Sequence, residues 1–260
     1  MADEESHGVL REINEGRVRT LLFNRPEALN AMNNALFIAV RDALNKARKD
    51  DSVATVILSG EGRAFCAGLD LAAVGEEGSG QFPGMFAALN SFDKPLIGAV
   101  NGLGVGVGMT MLAYCDLVVM AQDAKLRTPF PQLGLAPEAG SSYTFPARLG
   151  WQNAAYVLMS GRWFSAQECL DMGLIWKVTS ADSVMPEAQQ VALELAANPI
   201  PSLIATKSLM LAAGRQEGAM AAHKKENDAY AVLMGGAANA EAFLAFKEKR
   251  APNFSNIEGL

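Results

Sequence analysis

The chain has 260 residues, of which 50% are hydrophobic, and its formal net charge is -6. This composition predicts one or two globular domains with a sizeable core and excludes an intrinsically disordered chain. The acidic balance argues against a nucleic-acid-binding protein, and no apolar run is long enough to predict a transmembrane helix. The acidic start, "MADEESHGVL", resembles neither a signal nor a transit peptide, so we expect a cytoplasmic protein.

Strands, loops and helices alternate along the chain up to about residue 178, which is typical of an α/β domain with mainly parallel, doubly covered strands. After residue 185 the strand signal fades and helical patterns follow. We therefore predict an α/β core over residues 1–196 and a helical region over 197–260. The predicted strands are two within 9–23, then 53–60, 94–102 and 117–122. The predicted helices are 33–52, 85–91, 104–116, 186–198, 201–214 and 226–236.

Three cysteines and two histidines are widely separated in the sequence, so no metal site can be inferred from their spacing. Cys66, Cys115 and Cys169 are expected to be buried, reduced thiols. His7 and His223 are expected on the surface. General acid–base chemistry would then depend on carboxylates, tyrosine or lysine.

A glycine-rich run, "NGLGVGVGMT", follows a predicted strand and opens a predicted helix. The dinucleotide-binding pattern G-x-G-x-x-G fails here, because Val107 or Met109 stands where its third glycine is required. Such a run permits either tight helix packing or free N–H groups at a helix start, which favour a negative charge. A second loop, "AFCAGLDL", also follows a strand, and the two loops could hold one oxyanion between them.

Five segments resemble the crotonase (enoyl-CoA hydratase/isomerase) superfamily in order and spacing, over nearly the whole chain. The segments are "RPEALNAMN", "GRAFCAGLDL", "KPLIGAVNGLGVGVGMTMLAYCDLVV", "SAQECLDMGLIWKV" and "FKEKRAPNF". The resemblance implies a spiral of ββα units with a helical C-terminal trimerisation region, assembled as a homotrimer or a dimer of trimers. It also implies an acyl-CoA thioester substrate and no cofactor beyond the CoA that the substrate carries.

The resemblance implies that the backbone N–H groups of Leu69 and Val107 form the oxyanion hole for the thioester carbonyl. The hydratases of this superfamily use two glutamates, and their positions are occupied here by Thr110 and Phe130. Addition of water to a double bond needs a base and an acid. Efficient hydratase activity is therefore not expected.

A single acidic residue, Glu138, lies in the apolar loop "LRTPFPQLGLAPEAGSSYTFP". From its position after Pro137 alone, Glu138 is a glutamate in the first turn of a helix. The segment "LAPEAGSSYTFP", however, resembles the corresponding loop of peroxisomal-type Δ3,Δ2-enoyl-CoA isomerases, in which a glutamate at this place is the catalytic base. We expect the apolar neighbours of Glu138 in this loop to raise its pKa.

Further residues correspond to positions that contact the substrate in the superfamily. The implied CoA contacts are Ala28, Leu29, Ala67, Asp70 and Lys249, and the implied acyl pocket is formed by Thr110, Phe130 and Leu133. The lysine at position 249 would approach the CoA phosphates, often from a neighbouring subunit, or would be an ordinary solvated charge.

Together these observations predict an isomerase that converts 3-enoyl-CoA to trans-2-enoyl-CoA in unsaturated fatty-acid degradation. Two alternatives remain within the superfamily, namely hydration of an enoyl-CoA and isomerisation of an aromatic-derived epoxide or oxepin. A non-catalytic acyl-CoA-binding oligomer is an alternative of another class.

Overall fold

The structure is a computed structural model that describes residues 3–6, 8–70, 80–255 and 257. The predicted surface position of His7 lies outside the described residues, as do residues 71–79. Cys66, Cys115 and Cys169 are buried and free, as expected.

The described strands are numbered in chain order. They are β1 (Asp3–Ser6), β2 (Leu10–Glu15), β3 (Val18–Phe23), β4 (Thr55–Gly60), β5 (Ala64–Cys66), β6 (Leu96–Val100), β7 (Leu103–Val105), β8 (Leu117–Ala121), β9 (Lys125–Arg127), β10 (Phe164–Ser165) and β11 (Lys177–Thr179). Seven of them form a mixed sheet in the order β1-β2-β3-β4-β6-β8-β11, and four form a second sheet in the order β10-β9-β7-β5.

The described helices are likewise numbered in chain order. They are α1 (Asn34–Lys49), α2 (Phe82–Asn90), α3 (Val107–Thr110), α4 (Ser141–Leu149), α5 (Trp151–Ser160), α6 (Ala166–Asp171), α7 (Val184–Ala196), α8 (Ile200–Leu211), α9 (Arg215–Leu233) and α10 (Ala237–Lys247). Among the described helices, no single one is long and apolar enough to cross a membrane. The bent pair α9 and α10 has the required length and composition only when the two helices are taken together.

The core repeats a ββα unit three times, as β4-β5-α2, β6-β7-α3 and β8-β9-α4. The first strand of each unit joins the large sheet and the second joins the small sheet. The large-sheet strands β4 and β6 are buried at every position, because helices cover the sheet. The predicted spiral of ββα units with helices at the C-terminal end is confirmed.

The first helix shows how the sequence defines an element. The Asn33 side chain accepts a hydrogen bond from the backbone N–H of Leu36 at 3.0 Å, which caps the N-terminus of α1. Three basic side chains lie in its last turn, where they complement the helix dipole. Its buried face includes Leu36, Val40 and Leu44, at the spacing of an amphipathic helix.

The second sheet determines where the candidate site lies. Strands β5 and β7 are parallel neighbours, with Cys66 opposite Gly104. The chain leaves both strands at the same edge, so the loops after Cys66 and after Val105 emerge side by side. The loop that carries Glu138 follows β9, which pairs with β7 in the same direction.

Sequence patterns located five strands of the large sheet, but not its edge strands β1 and β11, and they missed the small sheet. The predicted loop around Cys66 contains β5, and β7, β9 and β10 were not predicted. The predicted helix over 104–116 is a four-residue α3 followed by a 3-10 turn at Met111–Tyr114. Helix α9 begins at Arg215, well before the predicted start at residue 226.

Candidate active site

A cavity of about 350 Å³ opens at this edge of the small sheet. Its wall is formed by the loops after β5 and β7, the Glu138 loop, and parts of α1, α2 and α9. Most of the wall is apolar. The side chains that give it this character are Met32, Phe37, Leu69, Phe82, Val107, Pro137 and Met234.

Two backbone N–H groups in the wall are free to bind an oxyanion. Leu69 and Val107 both line the cavity. The peptide bonds around Leu69 are fixed by strand-like pairing with residue 32, because Met32 N–H donates to Gly68 O and Asp70 N–H donates to Met32 O. Within the described ranges, the N–H groups of Leu69 and Val107 donate to no protein acceptor. This is the arrangement that an oxyanion hole requires.

Glycines allow the two loops to approach each other closely. A Cβ atom on Gly108 would lie 2.2 Å from Cys66 O, and one on Gly68, where φ is +97°, would lie 3.0 Å from Val105 O. A side chain at either position would push the two loops apart. The glycine run therefore serves both of the roles that its sequence allowed, tight packing and exposure of N–H groups.

The carboxylate of Glu138 faces these loops. A Cβ atom on Gly106 would lie 3.4 Å from Glu138 Oε1, so the backbone beside Val107 borders the carboxylate. In the described part of the chain, Glu138 has no hydrogen-bond or ion-pair partner for its side chain. Burial, with a smaller contribution from the charge of Glu226, raises the pKa of Glu138 to about 7. A carboxyl group with this pKa can accept and return a proton at neutral pH.

A second carboxylate in the wall, that of Asp70, is not available in the same way. Its Oδ2 lies 2.9 Å from Nη2 of Arg25, and both side chains are mostly buried. The ion pair holds the Asp70 carboxylate against the Arg25 guanidinium. Asp70 is therefore suited to holding the loop or a ligand rather than to acid–base chemistry.

The turn that follows Glu138 is held by α9 and by Tyr114. Glu226 accepts hydrogen bonds from Gly140 N–H at 2.6 Å and from Ser142 N–H at 2.9 Å. The Tyr114 hydroxyl donates to Ala139 O. These bonds are made to the first turn of α4 and to the residues just before it. They therefore fix the backbone from which the Glu138 side chain projects.

The expected surface position of His223 is wrong. His223 is 5% exposed and lies against Phe86, with the ring centroids 4.2 Å apart. Its Nε2 lies 3.2 Å from Asn227 Nδ2, and its Nδ1 lies 3.9 Å from Glu226 Oε2. The residue points into the molecule because α9 packs against α2 and α4 of the same chain.

The residues implied as CoA contacts are placed in two groups. Leu29 O accepts a hydrogen bond from Ala67 N–H at 3.0 Å, so the segments containing Ala28, Leu29, Ala67 and Asp70 run side by side. Of these, Asp70 lines the cavity. Lys249 is exposed after the end of α10 and is not part of the cavity wall, so its contact with CoA stays a prediction.

The residues implied as the acyl pocket do not line this cavity. Phe130 and Thr110 are buried in the interior. Leu133 ends the 3-10 turn Pro131–Leu133, and its carbonyl accepts a hydrogen bond from Asn239 Nδ2 at 2.7 Å. The apolar surround of Glu138 is formed by residues of α1, α2 and α9 together with Leu69, Val107 and Pro137. It was expected from the apolar neighbours of Glu138 in its own loop. Among those, Tyr143 packs against Gly218 of α9.

Sequence reasoning missed the contribution of α9. Asn227 and Tyr230 of α9 line the cavity, as does Met234 just after the helix, and Glu226 and His223 are buried on the same helix. A usable signal was present, because positions 223, 226, 227 and 230 share one face of a helix and carry polar and aromatic residues. The helices expected to mediate trimerisation thus also form part of the candidate site of their own chain.

Comparison with known proteins identifies the family. The family model for enoyl-CoA hydratase/isomerase matches residues 13–257. A relative from Escherichia coli (strain K12), 1,2-epoxyphenylacetyl-CoA isomerase, is 31% identical, and the match covers 95% of this chain and 98% of the relative.

Two solved structures are similar in fold and sequence. An enoyl-CoA hydratase/isomerase from Pseudoalteromonas atlantica T6c has a TM-score of 0.90 and 35% identity, covering 95% of this chain and 100% of its own. The enoyl-CoA hydratase EchA8_6 from Mycobacterium marinum has a TM-score of 0.75 and 49% identity, covering 78% of this chain and 99% of its own.

The fold, the paired N–H groups and the buried carboxylate define an enzyme that acts on an acyl-CoA thioester. The chain belongs to the enoyl-CoA hydratase/isomerase family of the crotonase superfamily. The names of the relatives include both isomerases and hydratases, so family membership alone leaves the individual reaction open.

Proposed function

We propose that this protein isomerises 3-enoyl-CoA to trans-2-enoyl-CoA, with Glu138 as its acid–base residue. The observation that carries the proposal is the Glu138 carboxylate, which lines the cavity beside the N–H groups of Leu69 and Val107; among the described residues, none of the three has a hydrogen-bond partner. In the described part of the wall, the other carboxylate is Asp70, which is paired with Arg25. A reaction that needs one acid–base group fits this wall better than a reaction that needs two.

The chemical steps balance with this one carboxylate. The ionised Glu138 takes a proton from C2, and the electron pair of that C–H bond forms a dienolate. The dienolate oxygen is stabilised by the N–H groups of Leu69 and Val107; removal of one such donor typically costs about 2.7–4 kcal/mol of transition-state stabilisation. Glu138 then returns the proton to C4, and the double bond moves from C3–C4 to C2–C3.

Hydration is disfavoured by the residues at the other superfamily positions. Thr110 is fully buried, and its hydroxyl has no hydrogen-bond partner within the described structure. Phe130 carries no proton-transfer group. A single carboxylate in a mostly apolar wall can move a proton within the substrate, whereas activating a water molecule and protonating the adjacent carbon calls for a second group.

A second candidate reaction is isomerisation of a ring-derived epoxide. Asn227 and Tyr230 place an amide and a phenol in the cavity wall, where they could bind a substrate oxygen. The relative from Escherichia coli (strain K12) is named a 1,2-epoxyphenylacetyl-CoA isomerase. Conversion of 1,2-epoxyphenylacetyl-CoA, followed by chromatography, tests this candidate directly.

The test of the main proposal uses two linear substrates. Purified protein is mixed with trans-3-hexenoyl-CoA, and the ultraviolet absorbance of the conjugated thioester is followed. Crotonyl-CoA, which loses this absorbance on hydration, is supplied separately. We expect the absorbance to rise with trans-3-hexenoyl-CoA and crotonyl-CoA to persist.

The Glu138→Gln variant is the matched control for both substrates. It should bind acyl-CoA without converting it. Rapid loss of crotonyl-CoA absorbance would establish a hydratase instead. Equal activity of the wild type and the variant would show that Glu138 is not the base, and acyl-CoA binding without conversion of any substrate by the wild type would favour the non-catalytic oligomer.

A further inference from the structure

Glu226 makes an unusual set of contacts for a carboxylate in the middle of a long helix. It accepts hydrogen bonds from Gly140 N–H at 2.6 Å, from Ser142 N–H at 2.9 Å and from the Ser142 hydroxyl at 2.6 Å. It is 5% exposed. A side chain this deeply buried and this fully bonded has a defined position.

These contacts replace an ordinary cap on helix α4. The residue before the helix is Gly140, which has no side chain to bond the free N–H groups of the first turn. Glu226 supplies both the acceptors and a negative charge at the helix N-terminus. Because Glu138 lies two residues before Gly140, Glu226 controls the direction in which the Glu138 side chain leaves the backbone.

The backbone between these residues is strained. Ala139 has a φ of +59° and Gly140 a φ of +66°, so two successive residues adopt the left-handed conformation. An alanine pays free energy to adopt this conformation, and external bonds must hold it there. Tyr114 holds Ala139 O on one side, and Glu226 holds Gly140 N–H on the other.

We propose that Glu226 is a positioning residue for the reaction of Glu138: its hydrogen bonds fix the turn that carries Glu138, and they hold its negative charge beside that turn. This inference rests on the proposed role of Glu138 in proton transfer. It adds a second carboxylate that contacts neither substrate nor product and acts through the backbone and through its charge.

The titratable groups that face Glu138, other than Glu226, carry no charge near pH 7. Cys66 and Tyr230 face Glu138, and burial raises the pKa of the Cys66 thiol to about 12 and raises the pKa of Tyr230 above its usual range. Both are therefore neutral near pH 7. Among the described groups, Glu226 is the charged one that acts on the Glu138 carboxyl.

Two groups besides Glu138 face Glu226. Burial raises the pKa of Tyr114, so its phenol stays neutral, although Arg215 lies over its ring with 5.3 Å between the guanidinium carbon and the centroid. His223 is the group that could oppose the effect, because its Nδ1 lies 3.9 Å from Glu226 Oε2.

The kinetic test compares Glu226→Gln with Glu226→Asp, with Glu217→Gln as the control for an exposed glutamate on the same helix. The pH profiles of kcat and of kcat/KM are measured with the substrate that the wild type converts. We expect Glu226→Gln to lower kcat by about tenfold to 100-fold, because misplacement by about 1 Å costs up to about 10²-fold. The acidic limb of kcat/KM should move to lower pH, and KM should change little.

The Glu226→Asp variant separates the effect of the negative charge from the effect of side-chain length. Glu226→Asp retains the charge, so its acidic limb should stay near that of the wild type, and Glu217→Gln should behave as the wild type. A Glu226→Gln variant with an unmoved acidic limb would overturn the proposal, whatever its kcat. A shift in Glu226→Asp as large as that in Glu226→Gln would overturn it as well.

A second measurement needs no substrate, so it distinguishes failure of this inference from failure of the proposed function. Unfolding free energies are measured for the wild type, Glu138→Gln, Glu226→Gln and the double variant at about pH 8 and about pH 5. Repulsion between two ionised carboxylates predicts a coupling at the higher pH that disappears at the lower pH, where Glu138 is protonated. Additive effects at both pH values would overturn the inference, even in an active isomerase.

Discussion

Glu138 and Glu226 lie on either side of the same turn and behave in opposite ways. Glu226 accepts three hydrogen bonds, and its pKa is held below the usual value, despite its burial, by the neighbouring His223 together with these bonds. Glu138 has no partner for its carboxylate within the described structure, and burial raises its pKa to about 7. The comparison teaches that burial alone does not set the chemistry of a carboxylate. The N–H donors around it decide whether it is a structural anion or a base.

The first prediction removes the base and should have the largest effect. Glu138→Gln preserves the shape of the side chain and cannot accept the proton from C2. Loss of a general acid–base group typically costs about 10²–10⁴-fold in rate, so kcat should fall by that factor with KM nearly unchanged. Steady-state kinetics with trans-3-hexenoyl-CoA measure both. A fall in kcat of less than tenfold would contradict the role given to Glu138.

The second prediction concerns the turn that separates the two carboxylates. Gly140→Ala adds a Cβ atom at 2.7 Å from Ala219 O, at a residue whose φ is +66°. Gly214→Ala, at a φ of +85°, places its Cβ atom in open space, so its cost is the backbone strain of about 1–2 kcal/mol. Gly140→Ala should cost about 3 kcal/mol or more, because overpacking adds about 1–3 kcal/mol to the strain.

Unfolding in urea, at one protein concentration, measures both glycine variants. Equal destabilisation would show that α4 and α9 can separate without cost, and that the close packing at Gly140 does not hold the turn. Glu226 would then have to hold the turn without support from helix packing.

The third prediction uses pH to compare the two carboxylates. The folded protein binds the proton of Glu138 more tightly than the unfolded chain does, so this residue reduces stability as the pH rises from about 4.5 to about 7. Glu138→Gln should therefore gain stability over the wild type by up to about 3 kcal/mol above pH 7, since one pKa unit corresponds to about 1.4 kcal/mol.

Glu226→Gln should show the opposite sign. The lowered pKa of Glu226 gives stability that is present above the usual glutamate pKa and is lost as the pH falls through the folded value. Glu226→Gln should therefore be less stable than the wild type near pH 7, and the difference should shrink in acid. Parallel urea titrations across the pH range measure both variants. Changes of the same sign would show that the two carboxylates share one environment.

Much of the fold could be predicted because its signals are local. The β-branched runs of β4 and β8 and the amphipathic pattern of α1 identify their elements without knowledge of the rest of the chain. The small sheet could not be predicted in this way. Its strands β5 and β7 have three residues each and stand beside glycines, so their pairing depends on neighbours that are distant in the sequence.

The candidate site also combines residues that local sequence signals identify with residues whose role depends on distant parts of the chain. Glu138 is a lone acid in an apolar loop, and Leu69 and Val107 follow short glycine-containing segments, so the resemblance could locate all three. Glu226 lies in α9, far along the chain, and two of its three hydrogen bonds come from backbone N–H groups, which no residue type in the sequence identifies. Contacts of a side chain with distant backbone can be identified only from the folded structure.

The central claim is that Glu138 is a base whose pKa is raised by its surroundings. The measurement that tests it most directly is the pH dependence of kcat/KM for trans-3-hexenoyl-CoA. If the claim holds, the rate rises with pH through a single ionisation near pH 7, and the slow residual rate of Glu138→Gln shows no such ionisation. A wild-type rate that is flat from about pH 5 to about pH 8, or an unchanged ionisation in the variant, would contradict it.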